Sequence, residues 1–424
     1  MTVMPQLLRC AVPASLGVAV MLIILSTGPA SEGADGPGNA PRHAATGTKL
    51  SSDFLAPWKQ GVKITPVSRV GGRHTIHSYY VASPESPDGR QVLFFASTAA
   101  DAHTGDICIV ERSSGHERVL AREVTVEDAH RVACQQWLSG GRWVVFHDLR
   151  KDGPVVVAVD VATGKERLLA RGRQVGFGSP QGDLIPLYGP HWDPNAFRDL
   201  EVLQVETGKV QTVVTVAAVK AAYREAIAQV FGERPISIYF PVLSPDQKRV
   251  FFKLAAPLGG DVRSKQASQR EFLIGYDLEK SRFLFMQRRW GHPAWHPDSR
   301  TILNVPNVLI DSETGEQRSI PDLPAFPGSH PSVSPDGKLF VTDLYFPRET
   351  TNSNKGPFEW GVAVADLRGK DSVLLHRFDH SRGASSWRRS HPHPVFSTDG
   401  KRIYYNVAQD EWNRLYVATI DEEG

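Results

Sequence analysis

The chain has 424 residues, of which 41% are hydrophobic and 22% charged, and its formal net charge is +2. That length allows one large or two ordinary domains, and the near-neutral charge excludes a general nucleic-acid binder. With 36 glycines, 30 prolines and many aromatic and β-branched residues, the composition points to a β-rich protein with many turns.

The N-terminus reads as a targeting segment. Arg9 precedes an apolar run over 11–25, which ends in the small residues Ser26-Thr-Gly-Pro-Ala30. A basic start, a short apolar stretch and a small-residue exit describe a secretory signal, with cleavage near Ala30 or Ala34. The run is short for a membrane span. Residues 1–34 are therefore assigned as a signal peptide, and the mature protein is expected in the periplasm or secreted, free of the membrane. Residues 35–53, polar and rich in Gly, Ala and Pro, read as a disordered linker. Only Cys108 and Cys134 remain beyond the signal. They lack a Cys-x-x-Cys metal spacing and form either one bridge or two buried thiols.

From residue 54 the chain repeats itself. Turn phrases recur at Ser86-Pro-Asp-Gly, Ser139-Gly-Gly-Arg, Ser179-Pro-Gln-Gly, Ser244-Pro-Asp-Gln, His296-Pro-Asp-Ser, Ser334-Pro-Asp-Gly and Ser397-Thr-Asp-Gly, at intervals of roughly 40 to 65 residues. Apolar strands follow them, such as Gln91-Val-Leu-Phe-Phe95 and Trp143-Val-Val-Phe146, and then second strands such as Val155-Val-Val-Ala-Val-Asp160. Apolar runs separated by such turns are antiparallel hairpins. Seven units that cannot bury their own faces predict an all-β, seven-bladed β-propeller over 54–424. Its ring is expected to close through a strand near 62–70 or 75–81. The Ala-rich stretch 216–230, with apolar residues three or four apart, predicts one helix inserted between blades over one face of the propeller.

A histidine recurs in the last three units: His292-Pro-Ala-Trp, His330-Pro-Ser-Val and His393-Pro-Val-Phe, each four residues before its turn. At this register the other units carry Ala82, Gln135, Val175 and Phe240. The register places His292, His330 and His393 at one axial level, at the start of the innermost strand and the mouth of the central channel. His391 lies two residues from the third. The long loops fall on the same face and carry Arg263, Lys265, Arg270, Arg388 and Arg389; Pro190-His-Trp-Asp-Pro194 lies there too. Two or three neutral imidazoles can hold a divalent ion such as Mn, Zn or Fe with positions left open. Arginine grips carboxylates bidentately, so Arg263, Arg388 and Arg389 are candidate substrate contacts. Metal and arginine over a sugar acid would acidify the neighbouring carbon-bound proton, and a remaining histidine could remove it. That is the logic of β-elimination on a uronic acid.

The phrases Ser390-His-Pro-His-Pro-Val-Phe-Ser-Thr-Asp-Gly and His330-Pro-Ser-Val-Ser-Pro-Asp-Gly resemble oligogalacturonate lyases, seven-bladed propellers related in fold to that of TolB. The resemblance covers roughly 239–405 and implies an acidic oligosaccharide substrate. It also implies a Mn ion held by His391, His393 and His330, with a Gln three residues before the pair. Arg388 stands at the Gln position, a departure from the pattern because a cation cannot ligate a metal. The resemblance further makes His292 the catalytic base and Arg270 its helper. A non-catalytic TolB-like propeller that binds a protein or glycan in the cell envelope is the alternative reading.

Overall fold

The run Val155–Val159 carries no polar residue on either alternating face, and every one of these side chains is buried. A strand can be apolar throughout only where both faces are covered. Here the covers are the neighbouring sheets. A computed structural model describes residues 53–420, except 194, 197, 260, 264–266, 289–290, 305–306, 325, 327–329 and 347–358. The signal segment, nearly all of the linker, Lys265 and the loop 347–358 lie outside the described residues.

The described residues form seven four-stranded antiparallel sheets arranged as the blades of a β-propeller. Blade 2 is typical, running Gln136–Leu138, Trp143–Arg150, Gly153–Asp160 and Glu166–Arg171 from inside to outside. Its second and third strands are buried almost throughout, whereas its outermost strand alternates between exposed and half-buried positions. Blades 4, 5 and 6 have inner strands Ser237–Leu243, Ala294–Trp295 and Ser332–Val333. Blade 7 begins with Val395–Phe396, and its outermost strand comes from the start of the fold: Val62–Pro66 pairs antiparallel with Arg414–Ile420. This strand completes the fourth strand of blade 7 and ties the two ends of the fold together.

The repeated turn phrase is a hydrogen-bonding unit. Ser334 Oγ donates to Asp336 Oδ1 (2.7 Å) and accepts from the Leu339 amide (2.9 Å), while Asp336 Oδ1 accepts from the Lys338 amide (3.2 Å). Gly337 sits at φ 71°, where glycine carries no steric penalty. The same bonds recur at Ser86, Ser244 and Ser397.

One feature differs from the sequence reading. The 216–230 segment is two helices, Val216–Ala222 and Arg224–Phe231, broken at Tyr223 (φ −130°, ψ 35°). Tyr223 turns its ring onto Phe283 of blade 4 at 5.3 Å, and Val219, Ile227 and Phe231 pack against strands of blades 3 and 4. Docking these side chains overrides the continuous helical pattern. Of the two states the sequence leaves open for Cys108 and Cys134, the structure shows free, buried thiols.

The channel is not open. Tyr79 and Tyr80, from the blade 1 connection, cross it: Tyr79 lies 5.8 Å from the Phe177 ring and 5.4 Å from Phe240, and Tyr80 Oη donates to the Pro293 carbonyl (3.1 Å). Below them lies a largely apolar cavity of about 350 Å³, lined in part by Tyr80, Trp295 and Phe396. Above them lie the histidines.

Candidate metal centre and active site

The residues His330-Pro and His393-Pro enter their inner strands with the side chains turned into the channel, because each residue stands two positions ahead of Ser332–Val333 or Val395–Phe396. His393 holds φ 46°, a left-handed conformation unusual for a non-glycine residue and a form of strain that concentrates at functional sites. The His77 ring nitrogen donates to its carbonyl at 2.7 Å, which fixes that conformation. The structure brings His330, His391 and His393 together as the sequence reading expects: the His330 and His393 rings are 4.4 Å apart, and His330 and His391 are 5.3 Å apart.

A fourth histidine, which the register argument missed, completes the group. His130 comes from the connection between blades 1 and 2, and its ring lies 4.5 Å from His391, 4.4 Å from His393 and 5.7 Å from His330. Asp128 shapes this connection by accepting the amides of His130 (2.9 Å) and Arg131 (3.1 Å). Trp387 Nε1 donates to the Glu127 carbonyl (2.9 Å) and Ser386 Oγ accepts the Ala129 amide (3.1 Å), stitching the connection to the loop before blade 7. His130 Nδ1 donates to the Arg389 carbonyl at 3.0 Å, so Nε2 faces the cluster.

One ligand atom from each of His130, His330, His391 and His393 lies within 4.8 Å of all the others. Nitrogens about 2.1 Å from one ion are at most about 4.2 Å apart, so small ring rotations bring all four into range. His330 Nδ1 bonds Asp343 Oδ2 at 2.7 Å, and the other Asp343 oxygen accepts the His330 amide at 3.1 Å. A carboxylate behind a ligating histidine fixes its tautomer and strengthens it as a donor. His130 Nε2, His391 Nδ1 and both ring nitrogens of His393 are buried without a hydrogen-bond partner. Buried polar atoms almost always have one, and a divalent cation supplies what these nitrogens lack. Burial, then the charge of Arg388 and the other three rings, holds the His130 imidazole well below its usual pKa. Burial and His330 do the same for His391 and His393. All three are therefore neutral, as metal ligands must be.

His292 stands beside the group rather than in it, its ring 4.5 Å from that of His330. Burial, His330 and Lys253 hold it well below the ordinary imidazole value. Lys253 Nζ donates to the Gly291 carbonyl, next to His292 in the chain, at 3.1 Å. Arg270 packs its guanidinium 4.8 Å over the Tyr239 ring and donates to Ser268 Oγ (3.3 Å). Its charge acts on His191 and Lys253. Arg388 is half-buried, and its charge reaches His130, His292, His391 and His393. Two of the loop arginines are engaged elsewhere. Arg263 donates to the Val126 carbonyl (3.1 Å), and the exposed Arg389 donates to the Ser381 carbonyl (2.7 Å) and serves the site through its own carbonyl instead.

No family model and no curated protein matches the chain. Among solved structures, an oligogalacturonate lyase in complex with manganese superposes with a TM-score of 0.58 at 16% identity, covering 85% of this chain and 94% of that one. The oligogalacturonate lyase of Vibrio parahaemolyticus gives 0.56 at 15% identity, with 85% and 94% covered. A putative TolB from Agrobacterium tumefaciens aligns at 14% identity with a TM-score of 0.37, over 80% and 90% of the two chains. At these identities the likeness is one of fold, and the chain is a seven-bladed β-propeller of the architecture found in those oligogalacturonate lyases.

Proposed function

We propose that the chain is a divalent-metal-dependent lyase that cleaves uronate-containing, oligogalacturonide-like oligosaccharides by β-elimination. The carrying observation is the group of four histidines, backed by Asp343 and set beside a fifth histidine, His292. The propeller with the same fold that was solved with manganese is itself such a lyase, which supports this reading and favours Mn over Zn or Fe. The basic apolar start over 9–30 supports export to the periplasm or beyond.

His130, His330, His391 and His393 would hold the ion, so His130 supplies the fourth donor that Arg388 cannot. When bound, the ion neutralises the substrate carboxylate as a Lewis acid. Arg388 grips the same carboxylate through charge-assisted hydrogen bonds. With that charge offset, the proton on the carbon beside the carboxylate becomes more acidic. His292, kept neutral by burial and its cationic neighbours, takes it. The electron pair left behind forms the carbon–carbon double bond as the glycosidic carbon–oxygen bond at the next carbon breaks. The leaving oxygen picks up a proton and becomes a hydroxyl of the shortened chain.

The test is an assay for an ultraviolet-absorbing unsaturated uronate over a panel of acidic oligosaccharides. The metal-loaded wild type should give it, and His292→Ala should lose turnover while keeping its metal. Wild-type turnover in His292→Ala sinks the base assignment. If no acidic sugar is turned over by the wild type, the binding-propeller reading replaces this one.

A further inference from the structure

A second group of buried polar side chains lies beside the histidine cluster and plays no part in holding the ion. Arg131 follows His130 directly and reaches from the blade 1–2 connection to blade 4, its guanidinium 5.7 Å from the Tyr239 ring and 6.0 Å from Phe240. It is 4% exposed, and its Nε has no hydrogen-bond partner. Its partners are the Tyr188 hydroxyl at 3.4 Å and Glu127 at a distant 3.8 Å. Burial pushes that carboxyl up to about 7, so Glu127 offsets the guanidinium only in part.

His191, in the blade 3 loop after Leu184–Tyr188, meets the same ring, its imidazole 4.7 Å from Tyr239. It is 1% exposed, and its Nε2 also lacks a partner. Its Nδ1 shares a hydrogen bond with Ser268 Oγ at 2.7 Å, and Arg270 Nε donates to the same oxygen (3.3 Å). With the serine proton on Nδ1, Nε2 carries the ring N–H. Lys253 places its Nζ over the Phe240 ring at 4.6 Å, and burial holds its pKa well below the usual lysine value. Arg131 Nε and His191 Nε2 are thus both buried without a partner, with the Arg270 guanidinium and Lys253 Nζ around them. A buried polar atom without a partner is costly, and an acidic group would meet both.

We propose that Arg131, His191 and Arg270, with Lys253 beside them, form a second anion pocket, distinct from the metal centre, that takes the carboxylate of the sugar unit next to the one being cleaved. The identity of the ligand rests on the lyase reading; the pocket itself does not. Tyr79 lies between the two sites, 5.6 Å from the His130 ring and 5.4 Å from Phe240. The arrangement selects substrates with acid groups on consecutive units.

The experiment is calorimetric titration of galacturonate and digalacturonate into the Mn-loaded protein in a His292→Ala background, where nothing is cleaved. The parent should bind digalacturonate more tightly than galacturonate. Arg131→Gln and His191→Gln should each weaken digalacturonate about 10- to 100-fold, the loss of one charge-assisted hydrogen bond, with galacturonate affinity and metal stoichiometry unchanged. A parent without the preference, or variants that keep it, overturns the pocket. Wild-type turnover, measured separately, decides the lyase reading. A preference lost in both variants keeps the pocket even if no unsaturated product ever forms.

Discussion

Asp343 shows how much of this site is carried by a residue that touches no substrate. It is fully buried, and both oxygens are spent on His330, one on its amide and one on Nδ1. Removing a carboxylate behind a ligating histidine typically costs 10- to 100-fold in metal affinity. Asp343→Asn should weaken Mn binding by about that factor in equilibrium dialysis; unchanged affinity would separate His330 from the metal. Asp343 lies beyond the His330–Gly337 phrase that carries the family resemblance, on the strand that follows it, and nothing in its spacing announces its role. His330, His391 and His393 were legible because the turn phrase fixes their register. His130 was not, because it lies in a connection outside the period and meets its partners only when blades 7, 1 and 2 close the ring. The one sequence signal near it is Asp128, two residues earlier, which suits a local turn.

At the scale of elements, the repeated turns made the blade count and the inner strands readable. The 216–230 break was not, because Tyr223 answers to Phe283 across a tertiary contact rather than to helical spacing. Ring closure depends on more than the Val62–Pro66 strand. Glu85 of blade 1, fully buried, receives Arg402 of blade 7 through two bonds (2.9 and 3.1 Å), together with the Tyr404 hydroxyl at 2.5 Å. Breaking a buried pair from one side costs roughly 3–5 kcal/mol. Asp399 stays on Arg402 at 2.7 Å, which places Glu85→Ala toward the low end. An unfolding free energy from denaturant titration lowered by less than about 1 kcal/mol would show that the junction is held by strand pairing alone.

The whole molecule carries an acid liability. Burial holds the imidazoles of His77 and His380 at about 4 and that of His147 at about 3. In the unfolded chain the same groups titrate near 6.5. Below that pH the unfolded state takes up protons that the folded state refuses. Stability is therefore fully present above pH ~6.5 and is lost as pH falls toward about 4, by about 1.4 kcal/mol per pH unit for each group. Urea midpoints should decline over that window, and a flat profile would contradict the burial of these rings.

The central claim is that one propeller mouth gathers four histidines from three connections into one metal site. Titration of Mn into the metal-free protein, with ion counted per chain, tests it most directly. The account predicts one tightly bound ion in the wild type, marked weakening in His130→Ala, and none in the folded His391→Ala/His393→Ala double variant. Full metal content in the double variant, or a His130→Ala protein that binds as the wild type does, would contradict it.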